Sequence, residues 1–522
     1  MSGYEITHSC RRDTIDFSSI AFGVGSSSEA EESGRRWFPY VKGSDFRKWF
    51  GNQFCVVDWW NDGAEIRALR GARPQNVDKY FRRGVTYNNI SKNFCARKIE
   101  AGFIFDQKNS MLFSDSEADD LLALGILHSS AIGPFLDMVS PKDFNPGALK
   151  ILPVPRALVG DKTIGNLVAE LVEMHRDDWD SCEVSWDFRT VVPKNSGGRL
   201  DDHCAVLRQQ CIETVRRAHE LEEDTDRRFI QAYGLEGEIS SAIPIEHITL
   251  SGNPAYRYGG DLTEEEQWTR FRQDTMKELA SYAVGCMMGR YSLDTPGLIY
   301  AHSGNEGFDH DKHKKFPADD DGVVPVFDVE WSFDDDAATR LIEFISVTWD
   351  KARLEENLTF LASNLGPKKG ESSRDTIRRY ISSSFFGDHL QTYKNRPIYW
   401  LFSSGKQKAF EALVYLHRYN EGTLARMRTE YVIPLQGKIK ARIAHLEQEE
   451  KAASSTAQAR RFAKERAGMD KKQVELAAFD EKLKHYADQR IALDLDDGVK
   501  VNYGKFGDLL AEVKKVTGKK PE

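Results

Sequence analysis

Near residue 160 the chain changes its hydrophobic period, and that switch limits its fold more than any other feature. Up to about residue 155, apolar residues come in short runs broken by turn signals. "FCVVDWW" and "GFIFD" read as short strands, with Asn-Asp-Gly punctuation after the first. "DSEADDLLALGILHSSAIGPFLDMV" reads as one helix capped by Asp115 or Ser116, and "FNPGALKILPVP" as a Pro-bounded strand. Beyond residue 160 the period becomes helical. Ile164, Leu167, Val168, Leu171 and Val172 fall on one helical face, and a long charged amphipathic helix follows, with Gly234 as its stop.

"WTRFRQDTMKELASYAVGCMMGRY" is a further helix, and "FEALVYLHRYNEGTLARM" reads as two helical pieces split at Asn420-Glu421-Gly422. In the tail, Leu476, Phe479, Leu483 and Tyr486 step by three and four, a narrow heptad-like seam. Gly468 is the natural turn for an antiparallel hairpin there, and "VKVNYGKFGDLLAEVKK" is a docking segment after it. The expected class is α+β. A mixed module over 1–155 precedes a mostly helical domain over 156–435, then a charged hairpin and docking tail over 436–522.

The 522 residues exceed one compact core, and 40% hydrophobic with 29% charged residues is a globular composition. No run of about 18 apolar residues suggests a membrane span, and "MSGYEITHSCRRDT" has no apolar core of a signal peptide. The seven cysteines are scattered without a CxxC pair, so reduced thiols in a cytoplasm are expected.

Net charge is −9, but it is unevenly spread. Residues 35–100 hold fourteen Lys/Arg against six Asp/Glu, a local +8 that leaves −17 elsewhere. Thirteen aromatics interleave with these cations. Basic residues neutralise phosphates and Arg can read guanine, so this stretch is the expected contact surface for double-stranded DNA. The candidate residues are Arg35, Arg36, Lys42, Arg47, Lys48, Arg82, Arg83, Thr86, Asn88, Lys92 and Arg97, with Lys98 beside them. The acidic remainder is expected to repel phosphates and confine binding to this module.

"SGNPAYRYGG" raises a catalytic possibility. Asn253-Pro254-Ala255-Tyr256 differs by one letter from the Asn-Pro-Pro-Tyr motif of amino-group DNA methyltransferases, where the Asn side chain accepts from the target amino group. That chemistry also needs a Gly-rich turn between a strand and a helix for the sulfonium cofactor. Residues 160–250 offer none, so Asn-Pro reads as a turn starter, and no catalytic, cofactor or metal residue is expected in the chain. His302, Asp309, His310, Asp311 and His313 lack a regular ligand spacing, and "SSGKQ" lacks the rest of a phosphate loop.

Several strings carry a family resemblance. "RRWFPYVKGSDFRKWFGNQFCVVDWWNDGAEIR", "RPQNVDKYFRRGVTYNNIS" and "AGFIFDQKNSMLF" resemble the target-recognition domain of the PglX family of BREX phage-defence adenine-specific DNA methyltransferases. The resemblance continues through "ITLSGNPAYRYGG", "RPIYWLFSS" and "DGVKVNYGKFGDLLAEVKKVTG" and covers nearly the whole chain. It implies the C-terminal half of such a protein, starting inside the recognition domain. It also implies S-adenosylmethionine-dependent N6-adenine methylation by the intact family protein, with the methyltransferase half and other BREX proteins as partners. The chain alone is then expected to be inactive. Two other roles fit the residues: a separate DNA-specificity subunit working with a catalytic partner in trans, and a scaffold for defence proteins that does not touch DNA.

Overall fold

The structure, a computed structural model, describes residues 9–42, 45–88, 94–106, 108–139, 144–192, 198–329, 333 and 335–519. It is α+β, with helices predominating after residue 160. Contacts divide the chain into two compact units. The first comprises Met1–Arg12, Ser18–Arg189 and Asp202–Arg272; the second comprises Asp13–Phe17, Thr190–Asp201 and Gln273–Glu522. The division therefore falls inside the helix Glu264–Met287, away from 155 and 435.

The first unit holds two small sheets. In one, β1 (Ser9–Arg11), β2 (Trp37–Val41), β3 (Cys55–Asp58) and, further along the chain, Ile104–Phe105 pair in the order β1, β3, β2, Ile104–Phe105. In the other, β4 (Gly84–Asn88) lies between β5 (Ala96–Ile99) and Asn109–Leu112, antiparallel to both; Ile104–Phe105 is β6 and Asn109–Leu112 is β7. All five residues of β2 and of β4 are buried, so both read as apolar or mixed runs rather than clean alternations.

The larger core of this unit joins Trp49, Val85 and Tyr87 to Leu124, Ile164, Val168, Leu171 and Phe229. The helices Lys162–Asp180 and Leu200–Tyr233, read from sequence as the start of a separate domain, thus fill the core of the strand-rich module. Gly125 permits a close approach of these helices. A Cβ there would lie 2.8 Å from the Phe229 ring and 2.9 Å from Val168.

Two local expectations change here. The single helix over 117–139 is broken: Glu117–His128 ends at Ser129, which turns extended. Asp226 holds the break by accepting from Ser129 Oγ at 2.7 Å, Ser130 N at 2.8 Å and Ser130 Oγ at 2.6 Å. "FNPGALKILPVP" forms a short helix, Pro146–Lys150, instead of a strand. Asn145 caps it by accepting from Ala148 N, and Pro146 suits the first turn because its missing N–H is not needed there.

In the second unit, β10 (Glu411–Tyr415) is the centre of a three-stranded antiparallel sheet between β8 (Val323–Pro325) and β9 (Tyr399–Ser403). "EALVY" is buried throughout, and a short apolar run gives strand and helix the same signature, which is why the helical expectation fails there. Behind the sheet the fully buried Arg290 donates to Asp13 at 2.7 Å and to the hydroxyls of Tyr291 and Tyr415 at 3.0 Å.

The C-terminal hairpin forms from Ile433–Lys451 and Thr456–Asp488, entered through a π-helical turn at Met427–Val432. Leu476, Phe479 and Leu483 are buried in its seam, with Leu435, Ile439 and Leu446 on the first helix. The turn lies at 452–455, not at Gly468, which sits inside the second helix. Ser455 caps that helix by accepting from Gln458 N, a stronger start signal than one helical glycine is a break. The docking segment packs Tyr503 and Phe506 against Trp400 with ring centroids 5.2 and 5.7 Å apart. Among the described residues, no single helix is long and apolar enough to cross a membrane.

Candidate nucleic-acid interface

The basic stretch separates into cations that hold the first unit together and cations that face outward. Arg47 and Lys48 are of the first kind. The Arg47 guanidinium donates to Asp178 at 2.7 Å, to the His175 carbonyl at 3.1 Å and to the Phe50 carbonyl at 2.8 Å. Lys48 meets Glu222, whose other oxygen accepts from Trp49 Nε1 at 2.7 Å. Burial of both partners makes each pair an internal tie between the strand-rich module and the helices Lys162–Asp180 and Leu200–Tyr233.

Arg97 on β5 is 1% exposed and donates to the Arg47 carbonyl at 3.4 Å and to Asn88 Oδ1 at 3.5 Å. Burial lowers its pKa from the usual guanidinium value. Asn88 is buried and donates to Cys95 Sγ, and Thr86 is buried and donates to the Ser110 carbonyl at 3.3 Å. Lys98 pairs with Glu117, lowering the carboxyl pKa of that residue through the hydrogen bond and its charge. The polar residues of β4 and β5 are thereby spent inside the sheet.

The outward set is smaller. Arg35 is exposed and donates to the Ser18 carbonyl, and Lys42 is exposed. Arg36 is half-buried and donates to Asp58 at 2.8 Å. Arg82 lies over the Phe113 ring at 5.4 Å, and Arg83 pairs with the buried Asp120 and with the Asp115 carbonyl. Lys92 lies outside the described residues.

Sequence reasoning passed over a segment beside this set. Trp60 is 50% exposed, and Arg70 and Arg73 are exposed. They flank a turn in which Asn61, Asp62 and Gly63 all take left-handed backbone angles. Gly63 is required there, because a Cβ would lie 2.5 Å from the Trp59 ring. Arg67 braces the turn, donating to Asp62 Oδ2 at 2.9 Å and lying over Trp59 at 5.4 Å. Asn-Asp-Gly was the available signal, because these residues tolerate left-handed angles best.

"SGNPAYRYGG" is structural. Asn253 is 2% exposed and caps the Pro254–Tyr258 turn by accepting from Ala255 N at 3.2 Å. Its amide donates to the carbonyls of Ile245 and Ile248 at 2.7 and 2.8 Å, and the Tyr256 hydroxyl donates to the Phe46 carbonyl. Burial pushes the Tyr256 hydroxyl up to about 12. The side chain is thus buried and tied to the turn through both its oxygen and its nitrogen.

The described residues also do not suit S-adenosylmethionine. Their three sheets are antiparallel apart from the short β2–β6 pairing, without the parallel strand–turn–helix unit that cradles such a cofactor. At Gly23-Val24-Gly25 the position an anion would take is filled internally: Glu29 accepts from Gly25 N at 2.9 Å.

Comparison with known proteins places these features. No protein-family model matches the chain. It is 43% identical over 502 residues to the adenine-specific methyltransferase BrxX of Escherichia coli O9:H4 (strain HS), covering 93% of this chain and 41% of that protein. It is 35% identical over 515 residues to the adenine-specific methyltransferase PglX of Lacticaseibacillus casei (strain Zhang), covering 94% of this chain and 40% of that protein. The chain thus spans about two fifths of the length of the curated relatives it matches. On identity sustained across nearly all its residues, the chain is homologous to one part of these BrxX and PglX adenine-specific methyltransferases.

Proposed function

We propose that this chain is the DNA-recognition and clamping portion of a BREX-type, site-specific N6-adenine DNA methyltransferase. The observation that carries this reading is the alignment of 93–94% of the chain with 40–41% of two adenine-specific methyltransferases, neither the fold nor the residues here suiting their cofactor. Methyl transfer from S-adenosylmethionine then belongs to the other part of the relatives' length. This portion holds the duplex while a catalytic domain acts, whether in one chain or in trans.

The first unit suits that task physically. Its internal ion pairs fix the sheets on two long helices, so the outward residues sit on a rigid base. Arg35, Arg36, Lys42, Arg82 and Arg83 supply phosphate contacts, together with Lys92, Arg70 and Arg73. Trp60 supplies a flat apolar face for a base or sugar. Duplex binding measured at several salt concentrations tests the reading. Affinity that falls linearly with log salt supports it, and no binding at low salt refutes it.

A further inference from the structure

The C-terminal hairpin sorts its charges by direction. Between Thr456 and Ala478 the second helix carries three acidic residues, and all three are half-buried and engaged. Glu465 accepts from Arg442 at 2.5 Å, Asp470 lies 3.9 Å from Arg466, and Glu475 accepts from Ser404 Oγ, Gln407 N and Ala409 N at 2.8–3.2 Å. Two of the six cations are also committed: Arg466 to Glu450 at 3.1 Å, and Lys472 to Asp328 at 3.0 Å. The other four, Arg460, Arg461, Lys464 and Lys471, are exposed, and none has a carboxylate partner among the described residues.

Helical spacing sets most of them in a line. Positions 460, 464, 467, 471, 474 and 478 fall within about 40° of one direction at 100° per residue, and Arg461 flanks that line. The line therefore reads Arg460, Lys464, Ala467, Lys471, Val474, Ala478, all exposed. At 1.5 Å per residue, Arg460 to Lys471 spans about 16 Å. Between Lys464 and Lys471 stands Ala467, with Gly468 beside it, so nothing bulky holds a partner away there.

We infer that this helix face is a second DNA-backbone contact, a row of phosphate-neutralising cations on the unit that the overall charge would assign to repulsion. The inference rests on the DNA-recognition reading and goes beyond it by placing a contact outside the basic module. Phosphates along a strand are closely and regularly spaced, and a straight cationic row suits them. An acidic protein partner fits less well. Protein interfaces are anchored by buried aromatics, and the apolar members of this face are small residues and Val474. The row carries no base-reading geometry, so its contribution is independent of sequence.

The test uses the full chain with Arg460→Gln, Arg461→Gln, Lys464→Gln and Lys471→Gln combined, titrated against a random-sequence duplex of about 30 base pairs at several salt concentrations. Removing four phosphate contacts should flatten the slope of log K against log salt by about 3 to 4. Helix content should not change, because glutamine keeps helix propensity. A second variant, Arg460→Lys with Arg461→Lys, keeps the charge and should keep the slope. If the parent binds and the folded fourfold variant shows the parent's slope, the row is not a DNA contact, and the recognition reading survives. If the parent binds no duplex at low salt, both fail. If polyglutamate competes with duplex at equal charge, and the fourfold variant loses both alike, the occupant is an acidic protein and the inference is overturned.

Discussion

Arg47 and Asp178 stand 131 residues apart in the chain, yet their side chains meet at 2.7 Å with almost no exposure. Asp178 also accepts from the backbone N–H groups of Ser251 and Gly252, so one carboxylate joins three segments of the first unit. Arg47→Ala leaves that carboxylate buried without its cation. The expected cost is about 3–5 kcal/mol, seen as a lower denaturation midpoint. The salt dependence of DNA binding in the surviving folded fraction should be unchanged, because Arg47 does not face solvent. A flattened slope with normal stability would reassign it to the DNA surface.

Arg82 and Arg83 should behave differently although they are adjacent. Arg82 stacks on Phe113 and has no carboxylate partner among the described residues, so Arg82→Ala should flatten the salt slope by about one with little change in melting. Arg83 covers Asp120, which is 1% exposed. Arg83→Ala should lower the melting temperature as well, at a cost of about 1–3 kcal/mol for the carboxylate left behind. Parallel melts and titrations of the two variants separate these outcomes.

Asn253→Ala removes a cap and strands the Ile245 and Ile248 carbonyls. It should destabilise by about 1–3 kcal/mol and leave duplex affinity and salt slope unchanged. In a methylation-competent assembly, normal melting with abolished transfer would restore the catalytic reading of the motif.

Asp321 gives a pH-dependent signature. Burial, reinforced by hydrogen bonding and charge from Asp319, pushes its carboxyl from 3.8 up to about 7. The Tyr431 hydroxyl lies 3.3 Å from both oxygens. A carboxyl raised in the folded state favours the native protein only while protonated. Its penalty is absent below about pH 4, grows as pH rises and is complete above about pH 7. Asp321→Asn should therefore melt about 2 °C or more above the parent at pH 8 and level with it at pH 4. Equal melting temperatures at both values would refute the raised Asp321 carboxyl.

What the sequence revealed follows physical lines. The stripe from Ile164 to Val172, the Gly234 stop and the Leu476–Leu483 seam were legible because a helix repeats its pattern over several turns. β10 was not, because five residues buried in succession, four of them apolar, have no period to read. The site divided in the same way. The +8 excess marked a stretch that the structure divides in two, because charge counting is blind to direction. It could not tell Arg47, Lys48 and Arg97, which face inward to partners over a hundred residues away or across the sheet, from Arg82, which faces out. The contacting carboxylates, Asp178 and Glu222, lie in helices whose sequences look like ordinary solvated faces. Trp60 was passed over because it reads as the end of a strand, when the left-handed turn after it leaves it half exposed.

The counter-charges supplied by Glu222 and Asp226 also set the limits of heredity for this module. They stand four residues apart on one helix and serve Lys48 and the Ser129–Ser130 break, both far upstream. A recombination crossover at residue 155 or 190 would transplant the strands while leaving behind the acids that neutralise their interior. An exchanged segment keeps its buried charges neutralised only when it runs on through Tyr233 and the Asn253 turn. The first unit is thus exchangeable as a block of about 250 residues rather than as a loop.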